Sequence, residues 1–445
     1  MGMRPHTSNG TQLTRDQIEE NFADLHPPLT PAQAGVEASR CLYCYDAPCV
    51  KACPTSIDIP GFIHRIRTGN LEGSARTILS ANIMGGTCGR ACPTEVLCEE
   101  ACVLNARGEE PVRIGALQRY AVEHLIAKGG DHPFKRAAPS GKKLAVIGAG
   151  PAGLSFAHRA AMLGHAVTVF DKKPKAGGLN EYGLAAYKMA NDFAQAEVKF
   201  LLGIGGIAIE YGKELGHGLA LDDLKKRFDA VFVGAGLAAT NALGVPGEEL
   251  SGVRDALDFI EEIRQARDKS AVRVGKNVIV IGGGNTAIDA AVQSKRLGAE
   301  SVTLVYRRGE NDMSATGWER DLARTNDVVL RQWSVPVKFE GNGAVEIATF
   351  ARARMKGGKL EAAAGTFSLA ADMVLKAIGQ KLDPGALENL RLEKNKVWVD
   401  ADYRTSVAGV YAGGDCISSG EDLTVQAVED GKRAAHAADA YVRSA

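Results

Sequence analysis

Eight of the nine cysteines in this chain fall between residues 41 and 102. They form two runs, Cys41-x2-Cys44-x4-Cys49-x3-Cys53-Pro54 and Cys88-x3-Cys92-Pro93-x5-Cys98-x3-Cys102. Short loops between cysteines bring several sulfurs into one small volume at little conformational cost, so the spacing points to metal. An even number of cysteines also suits a disulfide framework, but such frameworks belong to exported proteins. The opening stretch MGMRPHTSNGTQLTRDQIEE has no apolar leader, so export is not expected and a cytoplasmic location is. Four thiolates on structural zinc are one way to use these runs.

A length of 445 residues suggests about three domains of ~150 residues each. Basic and acidic residues balance at 53 each, which leaves no electrostatic footprint for nucleic acid or an anionic membrane. Apolar stretches are interrupted by glycine or charge before ~18 residues, so no membrane-spanning helix is expected.

The remainder of the chain is organised by glycine turns. Leu144-Ala145-Val146-Ile147 reads as a buried strand, followed by Gly148-Ala149-Gly150-Pro151-Ala152-Gly153 and a helical stretch through Leu163. A second strand, Ala166–Phe170, ends at Asp171. In this strand–turn–helix setting G-x-G-x-x-G marks a dinucleotide site. Gly148 permits the turn, Gly150 lets a pyrophosphate approach the backbone, Gly153 lets helix pack on sheet, and Asp171 stands where a ribose hydroxyl binds. The pattern recurs in Asn277–Ile281, Gly282-Gly283-Gly284-Asn285-Thr286-Ala287 and a helix to about Leu297. There Ala287 replaces the third glycine, and the strand Val302–Val305 ends in Tyr306-Arg307-Arg308 rather than an acid. Arginine at that place can accept the 2′-phosphate of NADP, or the pair can simply be solvated at a loop end.

Two such turns, with Val410-Tyr411-Ala412-Gly413-Gly414-Asp415 and the helix opening at Leu423-Thr424 near the C-terminus, are similar to the two-dinucleotide flavoprotein reductases. Asp415 could hold a ribityl chain, and the helix amides after Thr424 could face a flavin ring. Phe232–Gly236 and Leu375-Lys376-Ala377-Ile378-Gly379 suit crossings between a flavin domain and an inserted nicotinamide domain. Cys416 has no cysteine partner nearby, so it reads as packing and a disulfide reductase is not expected. A flavoprotein needs a one-electron outlet. A close cysteine run ending in Cys-Pro matches bacterial ferredoxins, in which the last cysteine ligates the other cluster. Two 4Fe-4S clusters are therefore expected, with zinc the alternative.

The stretches Cys41–Cys49 (CLYCYDAPC), Cys53-Pro54-Thr55, Ile57-Asp58-Ile59-Pro60, Phe62-Ile63, Cys88-Gly89-Arg90, Cys92-Pro93-Thr94, Cys98-Glu99, Cys102 and Arg113–Gln118 resemble the amino-terminal part of dihydropyrimidine dehydrogenase. The likeness runs through both nucleotide motifs to the C-terminus and is strongest to the separate electron-input subunit of the bacterial two-subunit form. It implies that Cys41, Cys44, Cys49 and Cys102 hold one cluster. It implies that Cys53, Cys92 and Cys98 hold the other with Gln118 as fourth ligand, leaving Cys88 a bystander. It implies FAD bound by the Gly148–Gly153 loop, Asp171, Gly178, Leu179, Lys188, Gly414, Asp415 and Thr424. Lys188 falls where the animal enzyme has an arginine. The implied NAD(P)H contacts are Gly282, Gly284, Asn285, Thr286, Ala287, Arg307, Arg308, Ala377 and Gly379. The animal enzyme uses NADPH and has a further arginine where Ser314 stands, whereas bacterial relatives are commonly NAD-dependent, so NADH is favoured.

The expected fold is α/β. Residues 1–30 are a poorly ordered N-terminus and 31–138 a helical domain binding two 4Fe-4S clusters. Residues 139–255 with 375–445 form a Rossmann-like FAD-binding domain, and 256–374 form an NAD(P)-binding one. No protein acid or base is expected to be catalytic, since hydride transfer between cofactors depends on stacking and orientation. Only 30 residues follow Asp415 and nothing resembles the FMN-binding barrel at which the family reduces its pyrimidine. The expected function is therefore electron input to an FMN and iron–sulfur catalytic partner subunit, in a heterotetramer, that reduces uracil or thymine to the 5,6-dihydro form. Rival readings are the small subunit of glutamate synthase, a subunit coupling NADPH to ferredoxin by electron bifurcation, and a redox sensor or scaffold.

Overall fold

The apolar run before each glycine turn becomes the centre of a parallel sheet. The computed structural model describes residues 13–237, 239–383 and 385–444, and these fall into two units.

One unit comprises residues 26–181, 191–239 and 381–444. Its five strands lie in the order Val410–Ala412, Ala230–Val233, Lys143–Ile147, Ala166–Asp171, Ile207–Tyr211, all parallel. Val146 pairs with Val169 on one side and Phe232 on the other. Leu144 to Ile147 are all buried, the continuous apolar pattern of a parallel strand covered on both faces. The helices Pro151–Met162 and Thr424–Ser444 pack closely. A Cβ at Gly431 would stand 2.1 Å from the Ala152 carbonyl oxygen, and Ser155 Oγ donates to the Val428 carbonyl at 2.6 Å.

The cysteine runs sit among the helices Pro31–Ser39, Ile59–Arg67, Leu71–Ala81, Gly85–Ala91 and Ile114–Lys128. Phe62, Ile63, Ile78 and Leu117 belong to the same continuous core as Leu144, Val146 and Phe156. The expected boundary at 138/139 therefore separates two chemistries without separating two cores.

The other unit comprises residues 13–25, 182–190 and 240–380. Its parallel strands are ordered Val328–Arg331, Ser301–Val305, Asn277–Gly282, Met373–Ala377, Val253–Asp255. The boundaries expected at 255/256 and 374/375 lie at strands of this sheet, while the compact unit extends from 240 to 380. The physical reason is that Val374 and Leu375, both fully buried, pair with Ile279 and Val280 at the sheet centre. A three-stranded antiparallel sheet, Ser334–Glu340, Ile347–Lys356 and Lys359–Ala370, completes the unit.

Residues 1–12 lie outside the described residues, but the expectation of poor order fails for the rest of 1–30. Arg15–Asn21 is a helix with a capping box between Thr14 and Gln17. Its Ile18, with Phe22, enters the core of the nucleotide unit. Asn21 Nδ2 donates to the Arg296 carbonyl at 2.9 Å, and Arg296 Nη1 returns a bond to the Asn21 carbonyl at 2.8 Å.

The Gly431 contact yields a prediction. Overpacking against a fixed carbonyl costs about 1–3 kcal/mol, set against the ~1 kcal/mol by which alanine favours a helix over glycine. Gly431→Ala is expected to lower the urea midpoint of the purified chain; an unchanged or higher midpoint would show that the two helices can part without loss.

Candidate functional site

The first glycine turn is held in shape by its own chain. Gly148 has φ +94°, and a Cβ there would stand 2.3 Å from the Gly234 carbonyl oxygen. Pro151 opens the following helix with Gly150 as its N-cap, and Ala152 and Gly153 lie in its first turn. That end presents unpaired backbone N–H groups, a ready site for pyrophosphate. Asp171, at the end of its strand, accepts from Ala149 N at 2.6 Å and Lys173 N at 2.7 Å. Burial pushes its pKa up. The acid expected on a ribose thus also fixes the loop, and each oxygen keeps a second lone pair.

Gly178 lies over Gly150, its Cβ position 2.7 Å from the Gly150 Cα, and Leu179 begins the short helix Leu179–Tyr182. Thr424 Oγ1 donates to Asn180 Oδ1 at 3.0 Å. Gly414 N donates to Asp430 Oδ2 at 2.9 Å, while burial pushes the neighbouring Asp415 carboxyl up to about 6. Sequence reasoning missed Asn180 and Asp430, because neither lies in a local motif and both act across long sequence separations.

Lys188 follows the short helix at Leu179–Tyr182 in the chain. It belongs to the nucleotide unit, where its ammonium pairs with Asp289 at 2.7 Å and with Glu319. Burial works against its charge, but the two carboxylates outweigh it and hold the pKa above the ordinary lysine value. Its ammonium thus stands in an internal ion triad. Around it, Tyr187 OH donates to Asp289 at 3.2 Å and Ala186 N to Gln293 Oε1 at 2.9 Å. The segment thereby fastens to the helix Asn285–Arg296.

That helix follows the second turn, with Gly284 as its N-cap and Asn285 and Thr286 in its first turn. Ala287 is fully buried, and a Cβ at Gly282 would stand 2.2 Å from the Ala377 carbonyl oxygen. Gly379 follows with φ +88°, its carbonyl accepting from Asn241 Nδ2 at 3.1 Å. Asn285 Oδ1 and Arg308 Nε are buried without a hydrogen-bond partner among the described residues. Arg307 is exposed, and Glu310 is engaged by Arg320, Arg324 and Gln332. Ser314 Oγ stands 3.1 Å from the Cβ position of Gly284. A dinucleotide would supply the missing partners.

The cysteines form two groups. Cys41, Cys44, Cys49 and Cys102 line one cavity, with Ile63 and Ile114 in its wall. Burial first, then the neighbouring Cys41 and Cys102, push the Cys49 thiol up to about 11. Four sulfurs lining one cavity are a ligand set that a 4Fe-4S cluster would use. The second group gathers about Cys92, which has Cys88, Cys98 and Cys53 within electrostatic reach, while Cys98 is reached by Cys53 and Cys49. Gln118 is buried and donates Nε2 to the Gly85 carbonyl at 2.7 Å. This identifies the nitrogen end of the amide and leaves the oxygen end for a ligand's role.

Glu197 was not foreseen. Buried, it accepts from Thr87 N at 3.0 Å and from Thr87 Oγ1, and from Gly86 N, at the start of the helix Gly85–Ala91. Burial pushes its carboxyl up to about 7.

Two parallel sheets, each with a dinucleotide turn at the carboxyl end of its central strand, define a two-dinucleotide reductase with a cysteine-rich helical region. A family model described as dihydropyrimidine dehydrogenase domain II, 4Fe-4S cluster, matches residues 18–130. The pyridine nucleotide-disulphide oxidoreductase model matches residues 142–431. The NAD-dependent dihydropyrimidine dehydrogenase subunit PreT of Escherichia coli (strain K12) is 34% identical over 428 residues, covering 96% of this chain and 99% of PreT. The NADPH glutamate synthase small chain of the same strain is 33% identical over 443 residues, with coverage of 93% and 92%. Lactococcus lactis thioredoxin reductase superposes with a TM-score of 0.55 at 22% identity, over 68% of this chain and 100% of that one. Its likeness bears on fold alone. The chain belongs to the pyridine nucleotide-disulphide oxidoreductase family, in the group that carries the dihydropyrimidine dehydrogenase 4Fe-4S domain ahead of the reductase. Among the described residues no helix is long and apolar enough to cross a membrane.

Two predictions follow from the buried charges. Lys188→Met would leave Asp289 and Glu319 buried without their cation, a loss of about 3–5 kcal/mol, read as a fall in Tm on the order of 10 °C; a Tm within a degree or two of the parent would refute the triad's role. Glu197 favours the folded state while protonated. Its contribution is complete below pH 4.5 and is lost as pH rises through about 7. Between those limits the parent should therefore lose about 3 kcal/mol relative to Glu197→Gln, measured by denaturation of both proteins at each pH; parallel profiles would contradict it.

Proposed function

We propose that this chain is the electron-input subunit of a dihydropyrimidine dehydrogenase, holding FAD, two 4Fe-4S clusters and NAD(P)H, with NADH favoured. The observation that carries the reading is the union of two dinucleotide cradles and two cysteine groups in a chain that matches PreT over 99% of PreT's length. When bound, FAD takes the hydride of NAD(P)H and the clusters carry its two electrons singly onward. The residues of this chain bind and orient. The Gly148–Gly153 loop, Asp171, Gly178, Leu179, Lys188, Gly414, Asp415 and Thr424 hold the flavin, and the Lys188 ammonium also pairs with Asp289 and Glu319. Gly282, Gly284, Asn285, Thr286, Ala287, Ala377 and Gly379 surround the nicotinamide dinucleotide. Cys41, Cys44, Cys49 and Cys102 hold one cluster, and Cys53, Cys92, Cys98 and Gln118 the other. An amide oxygen in place of a thiolate makes the second cluster less negative, which bears on its potential. The partner is an FMN and iron–sulfur catalytic subunit that reduces uracil or thymine, in a heterotetramer.

Arg307 and Arg308 favour a second reading. Neither is engaged by Glu310, and both stand at the strand end where a 2′-phosphate is bound. That favours NADPH, the nucleotide in the name of the glutamate synthase small chain, whose partner would be a large amidotransferase subunit.

Anaerobic affinity purification of the tagged chain from its host decides between the two, with NADH and NADPH oxidation assayed against uracil and against glutamine plus 2-oxoglutarate. Uracil-dependent turnover with an FMN-bearing partner is expected; turnover only with glutamine and 2-oxoglutarate would overturn the first reading. In the same assay Arg307→Ala with Arg308→Ala should weaken NADPH use roughly 10-fold or more beyond any effect on NADH, the worth of a charge-assisted phosphate contact. Equal losses would remove both arginines from nucleotide choice.

A further inference from the structure

The cysteine run that ends at Cys53 goes on as Pro54-Thr55-Ser56, and these four residues fold as one turn. The Ser56 N–H donates to the Cys53 carbonyl at 2.8 Å. Pro54 stands at the second place of the turn, where its fixed φ is favoured. Closing the turn carries the third residue back toward the first, and Thr55 Oγ1 lies 3.3 Å from Cys53 Sγ, a hydrogen bond. Both residues are buried, Thr55 at 2% exposure. A buried hydroxyl needs a partner, and a β-branched side chain is stiff at χ1, so the hydroxyl is held on the sulfur.

Either atom of this pair can donate while Cys53 is a thiol. A sulfur that binds iron is a thiolate with no proton to give, so on a ligand sulfur the hydroxyl is the donor. We infer that Thr55 raises the potential of the second cluster by donating this hydrogen bond to the Cys53 ligand sulfur. The inference rests on the proposed assignment of Cys53 as a ligand. Hydrogen bonds to the sulfurs are among the levers that set a cluster's potential. A more negative acceptor holds its donor more strongly, so the bond favours the reduced cluster over the oxidised one. Gln118 and Thr55 then act in the same direction: an amide oxygen in place of a thiolate and a donor on a thiolate both ease the negative charge. The effect is confined to one cluster, since neither Cys53 nor Thr55 lines the cavity of Cys41, Cys44, Cys49 and Cys102.

The experiment is a redox titration of the anaerobically purified full chain, followed by electron paramagnetic resonance, with iron counted chemically. Thr55→Val removes the hydroxyl while keeping the branched shape. It should keep the parent's iron content and shift the midpoint potential of one cluster downward, leaving the other where it was. Thr55→Ser keeps the donor and should stay nearer the parent. Thr55→Ala also lacks the hydroxyl and adds no bulk, so it carries the test if the valine variant proves unstable. Unchanged midpoints in Thr55→Val and Thr55→Ala would overturn the inference. So would equal shifts in Thr55→Val and Thr55→Ser, which would trace the change to packing. Cys53→Ala tests the assignment beneath it and should cost the iron of one cluster. Full iron in that variant would overturn Cys53 as a ligand, and the inference with it.

Discussion

The backbone of Gly89 lies so close to the neighbouring helix that a Cβ would stand 2.8 Å from Arg119 N and 3.0 Å from the Gly115 carbonyl oxygen. The metal chemistry proposed for this chain depends on that approach. It presses the helix carrying Cys88 onto the helix carrying Gln118, so that the glutamine proposed as a ligand is held against the helix of the second cysteine run. Other contacts brace it. Arg90 pairs with Glu123 at 2.6 Å and lies 4.1 Å over the Phe193 ring, and Glu197 closes the helix start from the same side as Phe193. Buried polar groups of this kind are costly alone and rigidifying once satisfied, which suits a scaffold that must hold several donors around a cluster.

The two nucleotide cradles are finished to different degrees. In the first, Asp171 and Asp430 already satisfy the amides of Ala149, Lys173 and Gly414. The loop keeps its shape by its own bonds. In the second, Asn285 Oδ1 and Arg308 Nε have no hydrogen-bond partner among the described residues. An unmet buried polar atom costs about 1–3 kcal/mol, which is recovered whenever a ligand supplies the partner. The first arrangement suits a resident group and the second a ligand that comes and goes.

How much of this could be read beforehand depended on whether the signal was local. Both glycine turns, with their flanking strands, carry their geometry in a few consecutive residues, and the strands Ala166–Asp171 and Ser301–Val305 lie where the pattern put them. The Thr14-x-x-Gln17 capping box was equally local but was passed over in a polar stretch. Leu375–Gly379 reads alike as a crossing or as a central strand, and Met373–Ala377 is a strand of the second sheet. The three-stranded antiparallel sheet carries no motif at all. Lys188 was assigned by likeness, yet its partners Asp289 and Glu319 lie more than a hundred residues away, where no spacing rule reaches. Glu197 and Asp430 were invisible for the same reason: a buried polar side chain is identified by what surrounds it.

The helix Arg15–Asn21 sets an order on the birth of the protein. Its apolar face, Ile18 with Phe22, belongs to a core built from residues of the nucleotide unit, and its bonds to Arg296 span 275 positions. At ~5–20 residues per second of synthesis, that face leaves the ribosome roughly 15–55 s before its partners exist. During that interval the rest of the cysteine region is completed and can begin to gather its sulfurs, while the first helix stays uncovered. The helix is thus made well before the partners it settles on, and an early chaperone contact would find its apolar handhold there.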